Sequence, residues 1–234
     1  MMDFFKWLRP RKRDSEQVSF SQSGEDLIVD FVLSWMGISE ISYLDLGAND
    51  PLCFNNTYRL YEKGHTGVLV EPDVTLSEAI RKLRPKDICV ACAVGVTHDP
   101  EVSFYKMSAD TLSTTQSNTV DLYEKNSEHR LTLEVKVPQM HINALLAKYF
   151  PEKAPIFVSL DVEGLDLQLL EAWNFSRWRP SVICVETLTY SQNKTATKVL
   201  DIFKVMELNG YEQYADTYIN TIFVNKADWD RRTG

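Results

Sequence analysis

Three carboxylates close two apolar runs of this chain: Asp161 and Glu163 in SLDVEGLD, and Glu186 in SVICVET. If the runs are neighbouring strands, the acids share one end of a sheet. Like charges so placed repel unless they share a proton, a cation or a cationic cofactor. Such a cluster suits proton removal from a weak nucleophile, or the holding of a cation that activates one. Gly164, directly after Glu163, would let backbone approach closely. The alternative is structural, with Asp161 or Glu163 at the start of the helix LDLQLLEAW. Among the histidines, His141 stands just before a helix and is the one placed to act as a base. His65 reads as packing, and His98 and His129 lie in polar connections.

A second constellation lies in YLDLGANDP, residues 43–51, an apolar strand that runs into a turn with one glycine. A dinucleotide site would carry G-x-G-x-x-G here, so that backbone amides reach the pyrophosphate. Only Gly47 is present; Asn49 stands at the second glycine position, and Pro51 removes an amide donor. The next apolar run, VLVEP, ends in Glu71 and Pro72. That acid follows the turn near the spacing of roughly 20 residues typical of a ribose-binding carboxylate. S-adenosylmethionine, with an amino-acid tail, a ribose and no phosphate, meets both conditions. Asp45, Gly47, Ala48 and Asn49 would hold the methionine part, and Glu71 with Pro72 the ribose. The apolar loop Ala93, Val94 and Gly95 would flank the adenine. The plainer reading makes Asp45 a turn cap and Glu71 a solvated strand end.

The elements that must carry these residues alternate. From Leu27 the spacing predicts a helix, with Ser23 and Asp26 as an approximate cap. A strand (ISYLDL), a helix capped by Asn56 or Thr57, a strand (TGVLVEP), a helix over Leu76–Leu83 and a strand (DICVACAVG) follow. This is the pattern of a doubly wound parallel sheet. EVSFYKMS and LTLEVKVPQ alternate apolar and polar residues and read as an inserted antiparallel hairpin. The Ser/Thr-rich stretch between them, from Ala109 to His129, has no sustained period and reads as a loop, with Asp110–Thr115 either a substrate lid or a mobile surface loop. The parallel pattern then resumes through INALLAKY, PIFVSLDVEG, LDLQLLEAW, SVICVET and ATKVLDIFKVMELNG, and closes with two antiparallel strands.

The chain has 234 residues, 44% of them hydrophobic, and a formal charge of −8. One domain over residues 20–234 is expected, behind a basic arm at 1–19. The negative balance argues against nucleic acid as a partner. No apolar run approaches the roughly 20 residues of a membrane span. The arm, MMDFFKWLRPRKRD, reads as solvated, or as grazing an anionic membrane surface. Cys89 and Cys92 have CxxC spacing, but on one strand residues three apart face opposite sides. They read as buried apolar thiols in a reducing cytoplasm, and Cys53 and Cys184 are the other two cysteines.

LDLGANDP, NNTYRLYEKGHTGVLVEP, ACAVG, VKVPQMHINALL, SLDVEGLDLQLLEAW and PSVICVE resemble, in order, the motifs of FkbM-type methyltransferases. SQSGEDL, ahead of the first strand, belongs to the same pattern, and the resemblance covers roughly residues 20–225. It implies a class I S-adenosylmethionine-dependent enzyme that methylates a hydroxyl of a sugar, glycoside or related natural product. It also implies a Rossmann-like, seven-stranded, mostly parallel sheet with the last strand antiparallel, and Ser21, Gln22, Glu25 and Asp26 closing the cofactor pocket. The chain departs from the family at Pro51, where Gly is usual, at His65, where Trp is frequent, and at His141 and Asn143, where Thr and Asp are usual. Asn143 is expected to cap the helix that follows. By a looser analogy with Mg²⁺-dependent O-methyltransferases, Asp161 and Glu186 would hold a metal while Glu163 orients or deprotonates the acceptor. Without a metal, Glu163 and Glu186 would bond the acceptor hydroxyls directly. The rivals are a nucleotide-dependent oxidoreductase of similar fold and a non-catalytic cofactor- or glycan-binding module.

Overall fold

The computed structural model describes residues 17–189 and 196–232. Most of the basic arm, residues 1–16, lies outside the described residues, and with it the reading of a membrane-grazing segment. Among the described residues no helix is long and apolar enough to cross a membrane.

The main sheet has seven strands: β1 (Ser42–Leu46), β2 (Thr66–Val70), β3 (Ile88–Val90), β7 (Phe157–Leu160), β8 (Val182–Glu186), β9 (Tyr211–Asp216) and β10 (Asn220–Asn225). Their order across the sheet is β3-β2-β1-β7-β8-β10-β9. β10 runs antiparallel to both neighbours, while the β1–β2, β1–β7, β2–β3 and β7–β8 pairs are parallel. The order therefore reverses between β1 and β7, where the crevice of an open parallel sheet forms.

Side chains alternate between the two faces of each strand. Leu44, Leu46, Val158 and Leu160 pack with α5 (Ile142–Tyr149), α6 (Asp166–Ala172) and α7 (Leu200–Leu208). Tyr43, Leu69 and Phe157 pack with α1 (Glu25–Trp35), α2 (Tyr58–Glu62) and α3 (Val74–Leu83). Central strands buried on both sides are why these runs read as continuously apolar.

Several local expectations are corrected. The run ICVACAVG is two strands: β3 ends at Val90, and the chain leaves the main sheet to begin β4 (Ala93–Gly95). There it pairs with β6 (Leu131–His141), which runs antiparallel to β5 (Glu101–Met107) in a separate three-stranded sheet. The stretch between β5 and β6 is no bare loop. It holds a 3-10 turn at Asp110–Leu112 and a helix, α4 (Ser117–Asn126). Only Val120 and Tyr123 of α4 are buried, against Met107, a stripe too narrow for periodicity to show.

The caps differ as well. Asn55, not Asn56 or Thr57, bonds the amides of Thr57 and Tyr58 ahead of α2. α1 starts from Gly24 in a left-handed conformation with no side-chain cap. His141 caps α5, its Nδ1 accepting from the Asn143 amide at 3.1 Å. Asn143 instead bonds Ala172 and Asn174, tying α5 to the end of α6. The helix expected from Ala196 begins only at Leu200, because Lys198 forms a β-bridge with Leu188.

Candidate active site

A cavity of about 380 Å³ opens at the carboxyl ends of the central strands. Its apolar wall includes Val70, Leu76, Cys92, Ala93, Val94 and Phe104, and the segment Asp110–Thr115 also lines it. Thr114 holds that segment in place by two backbone bonds with Tyr105.

Glu71 stands at the end of β2, 4% exposed. Its two oxygens accept from the Asn49 amide (2.9 Å) and the Asp73 amide (2.8 Å). Burial pushes this carboxyl up to about 7, against the pull of the two amides. Pro72 and Asn49 line the same cavity, and Gln22 reaches it from ahead of α1. Asp73 caps α3 through the amides of Thr75 and Leu76, and pairs with Lys106.

Gly47 has φ 81°, and a Cβ placed on it would lie 1.8 Å from the Asp161 carbonyl oxygen. Only glycine lets β1 pass this close to the end of β7. The amides of Gly47 and Ala48 both bond the Val70 carbonyl (3.1 and 3.2 Å). With the Asn49 amide on Glu71, the turn has no amide left at these three positions for a phosphate.

Two expected cofactor residues are not on the cavity. Asp45 faces the other side of the sheet, where its carboxylate accepts from Thr57 Oγ (2.7 Å) and Asn55 Nδ2 (3.4 Å). The fully buried Arg84 completes that network with Asn55, Thr57, Tyr43 and Asp87. Asp45 thus shapes the turn from beneath. Ala48 is buried and does not line the cavity either. In the SQSGEDL segment, Glu25 bonds Thr217 and Asn220, and Asp26 bonds Ser19, Ser21 and the Phe20 amide, so Gln22 alone of the four implied residues lines the cavity.

Asp161, Glu163 and Glu186 do come together. Each offers an oxygen, and these lie within 4.8 Å of one another. Neither Asp161 nor Glu163 caps α6, which starts without a side-chain cap, and Asp166 instead holds the loop ahead of it by accepting from the amides of Val162 (3.1 Å) and Gly164 (3.3 Å). Asp161 is pushed up to about 7 by burial and by Asp166 and Asp45. Glu163 is driven well above the carboxylate range by burial and the Asp161 charge, with a hydrogen bond from Tyr123 pulling it back. Glu186 is driven up by burial and by all three neighbouring acids, and its hydrogen bond to Asp161 favours keeping the proton on Glu186. Glu163 sits in a left-handed conformation, φ 52°, its carbonyl held by Thr114 Oγ at 2.8 Å.

His141 is removed from this chemistry. It lies at the end of β6, stacks on His98 at 4.5 Å and does not line the cavity. Tyr123 is the site residue that sequence reasoning missed, and Thr114 was singled out only as part of the Asp110–Thr115 segment. Asp166 could have been found, as the third acid of DVEGLD.

The residues fit a bound S-adenosylmethionine. Asp161 Oδ1 is buried without a hydrogen-bond partner among the described residues and faces a need for positive charge. Glu71 sits where a ribose acid belongs, and among the described residues no Lys, Arg or His lines the cavity to receive a phosphate. A doubly wound sheet with this cavity defines the class of S-adenosylmethionine-dependent methyltransferases. The sequence model of the methyltransferase FkbM domain matches residues 45–212, and the chain belongs to the FkbM methyltransferase family. Comparison with curated proteins found no match. Similar solved structures include a TehB-like SAM-dependent methyltransferase from Corynebacterium glutamicum (12% identity, 87% of this chain and 88% of that one, TM-score 0.45). Magnesium protoporphyrin IX methyltransferase from Synechocystis PCC 6803 with bound SAH is another (11%, 89% and 87%, TM-score 0.44). An O-methyltransferase from Bacillus cereus in complex with SAH is a third (12%, 89% and 82%, TM-score 0.42).

Proposed function

We propose that the protein transfers a methyl group to a hydroxyl of a sugar, glycoside or related small molecule. The observation that carries this reading is the carboxylate trio Asp161, Glu163 and Glu186, which lines the same cavity as Glu71. S-adenosylmethionine supplies, when bound, a methyl group on a positively charged sulfur. Glu71 would hold the ribose hydroxyls, and Ala93 and Val94 would lie along the adenine. The partnerless Asp161 oxygen would face positive charge on the donor.

Glu163 is the member of the trio suited to take the acceptor proton. Among the described residues it alone receives a donor from outside the trio, the Tyr123 hydroxyl, while the hydrogen bond between Glu186 and Asp161 favours the protonated form of Glu186. A carboxylate whose pKa is raised by burial is a stronger base than an ordinary one. Glu163 would take the acceptor proton and keep it, so that the acceptor oxygen can receive the methyl group that the donor sulfur would give up. Holding both reactants in line can contribute about 7–11 kcal/mol.

Two observations disfavour the dinucleotide-dependent rival: the amides of the glycine turn are spent internally, and among the described residues no basic side chain lines the cavity. Calorimetry with S-adenosylmethionine and with NAD decides between them, and NAD binding without a response to S-adenosylmethionine would overturn the reading. Turnover of labelled donor against a panel of glycosides separates an enzyme from a binding module.

A second reading keeps the donor but adds Mg²⁺. The specific observation is the same trio, three oxygens close enough for one ion, with Asp161 Oδ1 otherwise partnerless. Asp161 and Glu186 would then be ligands, and the ion would acidify the acceptor. Activity unchanged by EDTA would exclude it.

A further inference from the structure

The strand β6 has a free edge. β5 lies along one side of it, in unbroken register from Glu101 opposite Pro138 to Lys106 opposite Leu133. On the other side β4 reaches only Gln139, Met140 and His141. Among the described residues no strand takes that side between Leu133 and Pro138. The Gln139 amide donates to the Pro100 carbonyl, toward β5. Neighbouring residues of a strand turn their backbone groups to opposite sides. Glu134 and Lys136 therefore present N–H and C=O outward, and both residues are exposed. Leu133 is 50% exposed, on the face through which Val135 and Val137 pack with Phe104. Pro138 has no N–H and closes the stretch where β4 begins.

We propose that this edge docks on the same edge of a second copy of the chain, the two β6 strands running antiparallel about a two-fold axis at Val135. The inference goes beyond the methyl-transfer reading and does not depend on it.

An edge with unpaired amides and carbonyls is a template for another strand. In an antiparallel pair, residues directly opposite both turn their backbone groups toward each other or both turn them away. Glu134 and Lys136 can therefore face only themselves, each other or residues an even number of places along. Charge then selects the register. An axis at Glu134 or at Lys136 sets that residue against its own copy, and an axis at Leu133 sets Lys136 opposite Arg130. An axis at Val135 sets Glu134 of each copy opposite Lys136 of the other. Each of those pairs exchanges two backbone hydrogen bonds, and opposite charges directly across two strands attract where like charges repel. The same axis lays Leu133 against Val137 of the other copy, so the apolar face continues from one subunit to the next. A contact this short buries less than the roughly 1,600 Å² of a standard interface, so the dimer is a concentration-dependent one.

Sedimentation velocity of the full chain, from micromolar to near-millimolar concentration, reads the association. A reversible monomer–dimer equilibrium is the expected result. Glu134→Lys and Lys136→Glu, both at exposed positions, should each weaken it at least tenfold, because each sets like charges opposite one another in both pairs. A general charge effect on this acidic chain would instead move the two variants in opposite directions. An equal mixture of the two variants should associate again, since every pair across a mixed dimer joins a Glu to a Lys. The double variant, with both residues exchanged, should recover the association of the parent chain. Melting temperatures check that the variants fold. A chain that stays monomeric throughout, a dimer that neither variant weakens, or a mixture that does not recover would overturn the proposal. Slow hydrogen exchange at the Glu134 and Lys136 amides of the monomer would overturn it too, because another segment of the chain would then cover the edge.

Discussion

The hydroxyl of Tyr123, on α4, donates to the carboxylate of Glu163, at the end of β7, across 40 positions of sequence. The insertion between β5 and β6 is therefore joined to the acid that would take the acceptor proton. Thr114 of the same insertion holds the Glu163 carbonyl. A donor to the carboxylate favours its charged form and lowers its pKa. Removing the hydroxyl in Tyr123→Phe should raise Glu163 further, so the acid limb of the kcat profile moves to higher pH. Hydrogen bonds to charged groups are worth about 1.5–3 kcal/mol, so kcat should fall roughly tenfold or more. Affinity for S-adenosylhomocysteine should stay within twofold. A lowered kcat with an unmoved acid limb would mean that Tyr123 acts through packing alone.

Glu71→Ala should act on the other reactant. The loss of a charged acceptor for ribose hydroxyls, again about 1.5–3 kcal/mol, corresponds to a weakening of roughly tenfold to a hundredfold. Because burial holds Glu71 near about 7, wild-type affinity for S-adenosylhomocysteine should rise between pH 6 and 8 as the proton leaves. The variant should lose that rise. Calorimetry at the two pH values reads both effects, and a pH dependence that persists in the variant would assign it to another group.

The main sheet was legible because its central strands are buried on both faces and so read as unbroken apolar runs. The trio was legible for a related reason: acids at the ends of two adjacent parallel strands must meet. Asp45 shows the limit of that logic. A strand end says where a residue lies, whereas the period of two decides which face it takes, and Asp45 shares the face of Tyr43 and Arg84. His141 fails differently, since nothing local shows that its strand pairs with β4 rather than with the main sheet. Tyr123 was invisible because its helix buries only two side chains and is stabilised by tertiary contacts rather than by its own pattern.

The buried acids should give the protein an unusual pH profile. Glu71 and Asp161 are raised to about 7 and Asp166 to about 6, each chiefly by burial. The folded state keeps protons that the unfolded chain releases near the ordinary carboxylate range of about 4. Between about pH 4 and 7 the folded form thus binds more protons, so stability falls as pH rises through that window. Asp30, Glu25 and Asp73 act in the opposite sense, their lowered values costing stability only as the medium turns more acidic than the ordinary carboxylate range. The ligand-free protein should therefore melt at a higher temperature at pH 5 than at pH 7.5. Calorimetric scans check this, and Asp166→Asn should flatten part of the slope.

Gly47→Ala tests the contact that places Asp161. A side chain at φ 81° carries strain of about 1–3 kcal/mol, and the added carbon would also overlap the Asp161 carbonyl oxygen. Gly37 separates the two effects, because it has φ 70° but nothing within 4 Å of an added Cβ. Gly37→Ala should lower the melting temperature through strain alone, by roughly 2–4 °C per kcal/mol, and leave S-adenosylhomocysteine binding intact. Gly47→Ala should cost more and should also weaken binding, because the end of β7 has to move away and take the Asp161 carboxylate with it. Equal melting shifts in the two variants, with binding unchanged in both, would show that the close approach of β1 to Asp161 does not position the site.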